Sequence, residues 1–190
     1  MIRTSQTHPL QIASIELAPG SGRIGVTFAP GKHDPAGQSC AWARDLGADL
    51  DAIVAWGART LVTLIEPHEL DLLAIPSLGE EVRRRGLNWL HLPIRDVSTP
   101  GRAFEAAWPG HSANLRSRLA AGESLVVHCR GGLGRAGMIA ARLLAETGLD
   151  PDEAMARVRE VRPNAIETPA QENWVRAGPR SWPGGEPPAR

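Results

Sequence analysis

Residues 124–148, SLVVHCRGGLGRAGMIAARLLAETG, pass from a short apolar, β-branched run through a glycine-rich loop straight into a strong helical pattern that ends at Gly148. A strand here feeds a helix through very few residues, and the flanking sequence repeats that alternation. Residues 45–56 set Leu46, Leu50, Ile53 and Val54 at helical spacing, with Gly57 as the stop. TLVTLIE (60–66) reads as a strand and SLGEEVRRRG (77–86) as a helix opened by a Ser77/Glu80 capping box. LNWLHLPI (87–94) is a second strand, SLVVHC a third, and Asp150-Pro151 starts a helix that must stop before Pro163. This alternation predicts an α/β fold: a single domain with a mostly parallel central sheet, right-handed crossovers and helices on its faces. Ligands bind such sheets at the carboxyl ends of the strands, and Cys129 stands at one of them.

A length of 190 residues suits one domain with a proper core. The first 23 residues lack periodicity and are expected to be a flexible segment, with the folded domain over 24–176. Residues 177–190, AGPRSWPGGEPPAR, form a Pro/Gly-rich tail with little to bury. Lys plus Arg and Asp plus Glu both number 21, so no overall field favours nucleic acid or an anionic membrane, and any anion site must be local. No apolar run approaches the roughly 18 residues of a membrane span, and the N-terminus has no signal-peptide core, so the expected setting is cytoplasmic. A lone Cys40–Cys129 disulfide is not expected there, which leaves Cys129 a free thiol. Six scattered histidines with neither an i, i+4 pair nor a CxxC give a metal site no support.

The loop between Cys129 and Arg135 has its own chemistry. Glycines at 131, 132 and 134 let successive backbone N–H groups turn inward, so Arg130, Gly131, Gly132, Leu133, Gly134 and Arg135 form an anion cup. The helix that follows aims its unpaired N–H groups and the positive end of its dipole at the same point. A thiol in that field ionises readily, and Arg135 is placed to grip two oxygens of a phosphoryl group. The leaving oxygen needs a proton from elsewhere. Between Val82 and Cys129 the acids are Asp96, Glu105 and Glu123; Asp96 follows the second strand at the correct edge, whereas Glu105 lies in a helical stretch and Glu123 precedes its strand at the far end.

HCRGGLGRAG (128–137) and LPIRDVSTPG (92–101) resemble the cysteine–arginine signature and the general-acid loop of the cysteine-dependent protein phosphatases. Over roughly 24–176 the chain is similar to their dual-specificity branch, in particular to the cyclin-dependent-kinase-associated phosphatases and their bacterial relatives. The resemblance implies hydrolysis of phosphotyrosine, and of phosphoserine or phosphothreonine, in a phosphorylated protein or peptide, without metal or cofactor. Cys129 would form a phosphocysteine while Asp96 protonates the leaving oxygen, and His128 would orient and acidify the thiol. In related enzymes a glutamine positions the hydrolytic water, and ETPAQENW (167–174) offers Gln171; Thr168-Pro169-Ala170-Gln171 reads equally well as a capping box. The family usually carries Ser or Thr after the arginine, where its hydroxyl helps the thiolate depart. Here Ala136 stands in that place, which keeps open a phosphate-binding module without turnover. Sulfur transfer of the rhodanese kind is a third reading, although it gives Asp96 no task.

Overall fold

The computed structural model describes residues 2–37 and 40–178. Its central sheet runs in the order β2 (Ala13–Ile15), β3 (Ile24–Phe28), β8 (Ser124–Cys129), β6 (Ala58–Thr63), β7 (Asn88–His91). The last four are mutually parallel and β2 joins β3 antiparallel at one edge. β8 lies in the middle, and Leu125, Val126 and Val127 are buried in succession, which is why the strand reads as a continuous apolar run and not as an alternation. A smaller sheet combines β1 (Ile2–Arg3), β5 (Ala41–Ala43) and β4 (His33–Asp34) in that order.

Seven helices flank the sheets among the described residues: α1 (Leu46–Ala55), α2 (Pro67–Leu72), α3 (Leu78–Arg84), α4 (Arg102–Ala120), α5 (Gly134–Glu146), α6 (Pro151–Val161) and α7 (Pro169–Arg176). α5 packs on β3, β8, α6 and α7, and every residue of it is buried. Its charges are therefore paired: Arg142 Nε donates to Glu146 at 2.8 Å, and Glu146 also accepts from Trp108 Nε1 at 2.9 Å and from the Ser112 hydroxyl of α4. The parallel register puts Phe28 opposite Cys129, and Thr63 opposite both His128 and His91. Four strand ends thus lie in a row, and the segments that leave them carry Lys32, Glu69, Asp96 and residues 130–135.

Several sequence expectations change. The segment before residue 24 is built into the fold: β1 pairs with β5, β2 with β3, and Ile15 is buried. Strands of two and three residues are too short to show a period. β3 passes unrecognised in the sequence for a similar reason, since IGVTF interrupts its apolar pattern with Gly25, where Ile12, Val126 and Trp56 leave no room for a Cβ. In α1, Asp49 is buried with Leu50 and Ile53 while Val54 is 41% exposed. Ser77 makes no capping hydrogen bond; the capping box belongs to Glu66 and Glu69 at the start of α2, with Pro67 in the first turn. Of the expected tail, Ala177 and Gly178 follow α7, and residues 179–190 lie outside the described residues.

Asp49 is buried because it anchors the N-terminal arm. Its carboxylate accepts from Arg44 at 2.7 and 2.8 Å and from the Gly31 N–H at 2.8 Å, and Arg44 in turn donates to the His8 carbonyl at 2.8 Å. Asp49→Ala strands a buried guanidinium, so it should lower unfolding stability in urea by about 3–5 kcal/mol. A loss under about 1 kcal/mol would show that the pair does not hold the arm.

Candidate active site

Cys129 ends β8 and is buried, with its Sγ accepting the Gly132 N–H at 3.2 Å. Gly132 has φ +69°, and a Cβ there would collide with the backbone of Thr27 and Phe28, so no other residue fits. Of the three loop glycines only Gly132 needs its conformational freedom; Gly131 faces open space, and Gly134, the first residue of α5, lies against Glu167 and Gln171. The cup owes its polarity to a residue outside it. Arg162, at the end of α6, donates from Nε to the Gly132 carbonyl and from Nη2 to the Gly131 carbonyl, both at 3.0 Å. In a planar trans peptide the N–H lies opposite the C=O, so drawing these two carbonyls outward turns the Gly132 and Leu133 N–H groups to the inner side.

Arg135 is 1% exposed and held end-on. Its Nη1 donates to Glu69 Oε2 at 2.6 Å and to the Ile94 carbonyl at 3.0 Å, and Nη2 donates to Glu69 Oε1 at 2.9 Å. Asp96 Oδ1 lies 2.8 Å from Nη2. The buried Nε has no hydrogen-bond partner among the described residues, so one edge of the fork remains available to an acceptor. Burial works to raise the Glu69 pKa, but the hydrogen bonds from Arg135 and the Glu66 N–H outweigh it and hold the carboxyl below its ordinary value. Glu69 is the functional residue that sequence reasoning missed most clearly. Its signal was local: Glu66-Pro67, with Glu69 three residues after Glu66, is a helix start at a strand end.

His128 is fully buried, and that burial pushes its pKa down to about 3, so the ring is neutral at physiological pH. Its Nδ1 faces the Cys129 carbonyl at 3.4 Å and must therefore carry the proton. Nε2 then accepts from Thr63 Oγ1 at 2.8 Å, whose oxygen accepts from Trp89 Nε1 at 2.8 Å. His128 thus touches the Cys129 main chain and brings no charge beside the thiol.

Cys129, Arg135 and Asp96 line one cavity of about 710 Å³, together with Arg130, Gly131, Leu133 and Gly134 of the loop. The side chain of Arg130 is committed to Asp34, at 2.9 and 3.2 Å. Gln171 is buried outside the cavity lining; its Oε1 accepts from the Glu167 N–H at 2.9 Å, its Nε2 reaches the Ser98 carbonyl at 3.4 Å, and its N–H is capped by Thr168 Oγ1 at 3.2 Å. Of the expected capping box only the Thr168 half forms, because the Gln171 side chain takes the Glu167 N–H instead of that of Thr168, and its amide ties α7 to the Asp96 loop. The carboxylate that does line the cavity from this segment is Glu167, beside Gly134. Among the described residues no three His, Cys, Asp or Glu side chains are grouped as a metal site requires.

Comparison with known proteins places this geometry. Residues 37–175 match a family model described as PTP-SAK, Swiss Army Knife protein, DSP-PTPase phosphatase domain. The chain is 28% identical over 137 residues to cyclin-dependent kinase inhibitor 3 of Rattus norvegicus, an alignment that covers 70% of this chain and 62% of that protein. It therefore spans less than two thirds of the length of that relative. Its fold is similar to kinase associated phosphatase (KAP) with the catalytic-site cysteine substituted by serine, at TM-score 0.75 and 24% identity over 88% of this chain and 92% of that one. It is also similar to Tk-PTP in the active form, at TM-score 0.62 and 28% identity over 83% and 94% of the two chains.

The geometry makes two predictions. Because the folded-state pKa of His128 lies below its ordinary 6.5, the unfolded chain takes up the proton first; the stabilisation is fully present above pH 6.5 and is lost as pH falls toward about 3. The urea midpoint should drop between pH 7 and pH 5, and less so in His128→Gln; an equal drop would contradict the assignment. Arg162→Met should release the loop carbonyls and weaken inhibition by orthovanadate about tenfold or more, with the near-ultraviolet spectrum unchanged. Undiminished inhibition would show that the cup keeps its orientation without Arg162.

Proposed function

From the membership of this chain in the dual-specificity family of cysteine-dependent phosphatases, we propose that it hydrolyses phosphotyrosine, and phosphoserine or phosphothreonine, in proteins through a phosphocysteine at Cys129. The observation that carries this reading is the buried Nε of Arg135, a donor without an acceptor among the described residues, beside a thiol whose own loop directs an N–H at it. A phosphoryl oxygen supplies that acceptor, and the inward N–H groups take the others. Sγ attacks phosphorus as the bond to the substrate oxygen breaks, and the departing electron pair takes a proton from Asp96. Water then attacks phosphorus, the P–S bond breaks and its electrons return to sulfur. The proton of the water passes to Asp96, which shares the cavity wall with the carboxylates of Glu167 and Asp34.

Most of this catalysis is positioning and charge stabilisation, which suits a loose phosphoryl-transfer transition state. A reducing cytoplasmic setting would preserve the Cys129 thiol on which it depends. One observation favours a phosphate-binding module instead: Ala136 is buried at the start of α5 and offers no hydroxyl to the departing thiolate. The sulfur-transfer reading loses to the family match.

With a phosphotyrosine peptide in excess chelator, the proposal predicts steady turnover that is abolished in Cys129→Ser and lowered about 100-fold or more in Asp96→Ala. Turnover retained in Cys129→Ser would overturn it. A single burst of product followed by silence in the native protein would select the binding module.

A further inference from the structure

Two cations in the wall of the cavity have no task in the chemistry above. Lys32 is 5% exposed, and its Nζ lies 4.3 Å from the Trp42 ring centroid and 4.9 Å from that of Phe28. Its hydrogen bond among the described residues is a long one, 3.4 Å to the Arg130 carbonyl, for an ammonium with three donors. Arg3 of β1 lies over the same indole, 5.4 Å from its centroid. Among the described residues neither cation has an ion-pair partner: Asp34, the wall carboxylate whose charge acts on Lys32, is held by Arg130. Burial presses on the Lys32 charge and lowers its pKa to about 8, with Asp34 and the nearby Cys129 opposing that pressure.

A buried ammonium without a carboxylate costs stability, and a wall that keeps one is built for an anion that arrives from outside. The phosphoryl group itself has its own donors in the loop and in Arg135. Roughly 710 Å³ leaves space for more than a phosphoryl group, and Thr7, Pro9 and Gln11 of the ordered arm extend the wall past Trp42.

We infer that Lys32 and Arg3, mounted on Trp42, form a second anion subsite beside the phosphoryl cup, which takes an acidic side chain flanking the phosphorylated residue of a peptide. This rests on the proposed reading of the cup as a phosphopeptide site. It makes acidic flanks a determinant of substrate choice, with Trp42 holding both cations in place by their attraction to its face.

The test is calorimetric binding to Cys129→Ser protein of two phosphotyrosine peptides, identical except that flanking Asp residues in one are Asn in the other. The acidic peptide should bind about tenfold tighter. That ratio should fall to about twofold or less with Lys32→Met added and shrink in part with Arg3→Met, a substitution at a less buried position that guards against misfolding of the first. No preference in the Cys129→Ser protein, or a preference unchanged in both variants, overturns the subsite, the latter assigning Lys32 to the phosphoryl group or the thiol. A preference lost in the variants while the native protein shows no turnover upholds the subsite and refutes hydrolysis. Failure of both peptides to bind refutes the phosphopeptide reading and the subsite with it.

Discussion

A guanidinium buried beside a thiol is expensive to keep, and much of this molecule is arranged around Arg135. The charge is tolerable only because Glu69 receives two of its nitrogens and the Ile94 carbonyl a third contact. Those partners come from α2 and from the segment after β7 and meet the first turn of α5, so one buried guanidinium requires three segments to meet at the same row of strand ends. Asp96 is carried on one of these loops and arrives 2.8 Å from the arginine. Val97, directly after it, adopts φ +55°, a conformation that a β-branched residue accepts only when its surroundings impose it.

The electrostatics of the cup come from oriented backbone. Arg162 draws two carbonyls outward, the paired N–H groups turn inward, and Gly132 alone can occupy the left-handed position where the loop passes under β3. His128, at the base of the loop, is a neutral link in a chain of hydrogen bonds from Trp89 through Thr63 to the Cys129 carbonyl. This division has a physical logic. A cationic imidazole at full burial would need a counter-charge, while peptide dipoles direct partial charge at the anion and need none.

What was legible in the sequence is what is local. The strand, loop and helix of 124–148 are contiguous, so Cys129, the cup and Arg135 could be read from spacing alone, and Asp96 followed because strand order leaves few acids at the correct edge. What was not legible is what the fold brings from far away. Glu69 meets Arg135 across 66 positions, Arg162 reaches back to a loop some 30 residues earlier, and Lys32 arrives from the segment after β3, a strand whose Gly25 blurred its pattern. Long-range ion pairs leave no periodic trace. The N-terminal arm failed to announce itself for another reason: its order comes from Asp49 and Arg44, two charges that composition assigns to the surface. Gln171 was legible only as a choice between two roles, since a side chain that fits a functional motif also fits a helix cap, and its hydrogen bonds to Glu167 and Ser98 are features of the fold that the sequence does not show.

The proposed reaction turns on one covalent event. The most direct measurement is mass spectrometry of the protein quenched in acid within milliseconds of mixing with a phosphotyrosine peptide, with the modified residue located by peptide mapping. A transient phosphoryl group on Cys129, formed at least as fast as the product appears, is the predicted result. Product formation with no phosphoryl group on Cys129 at any time, or with the group on another side chain, would contradict the account.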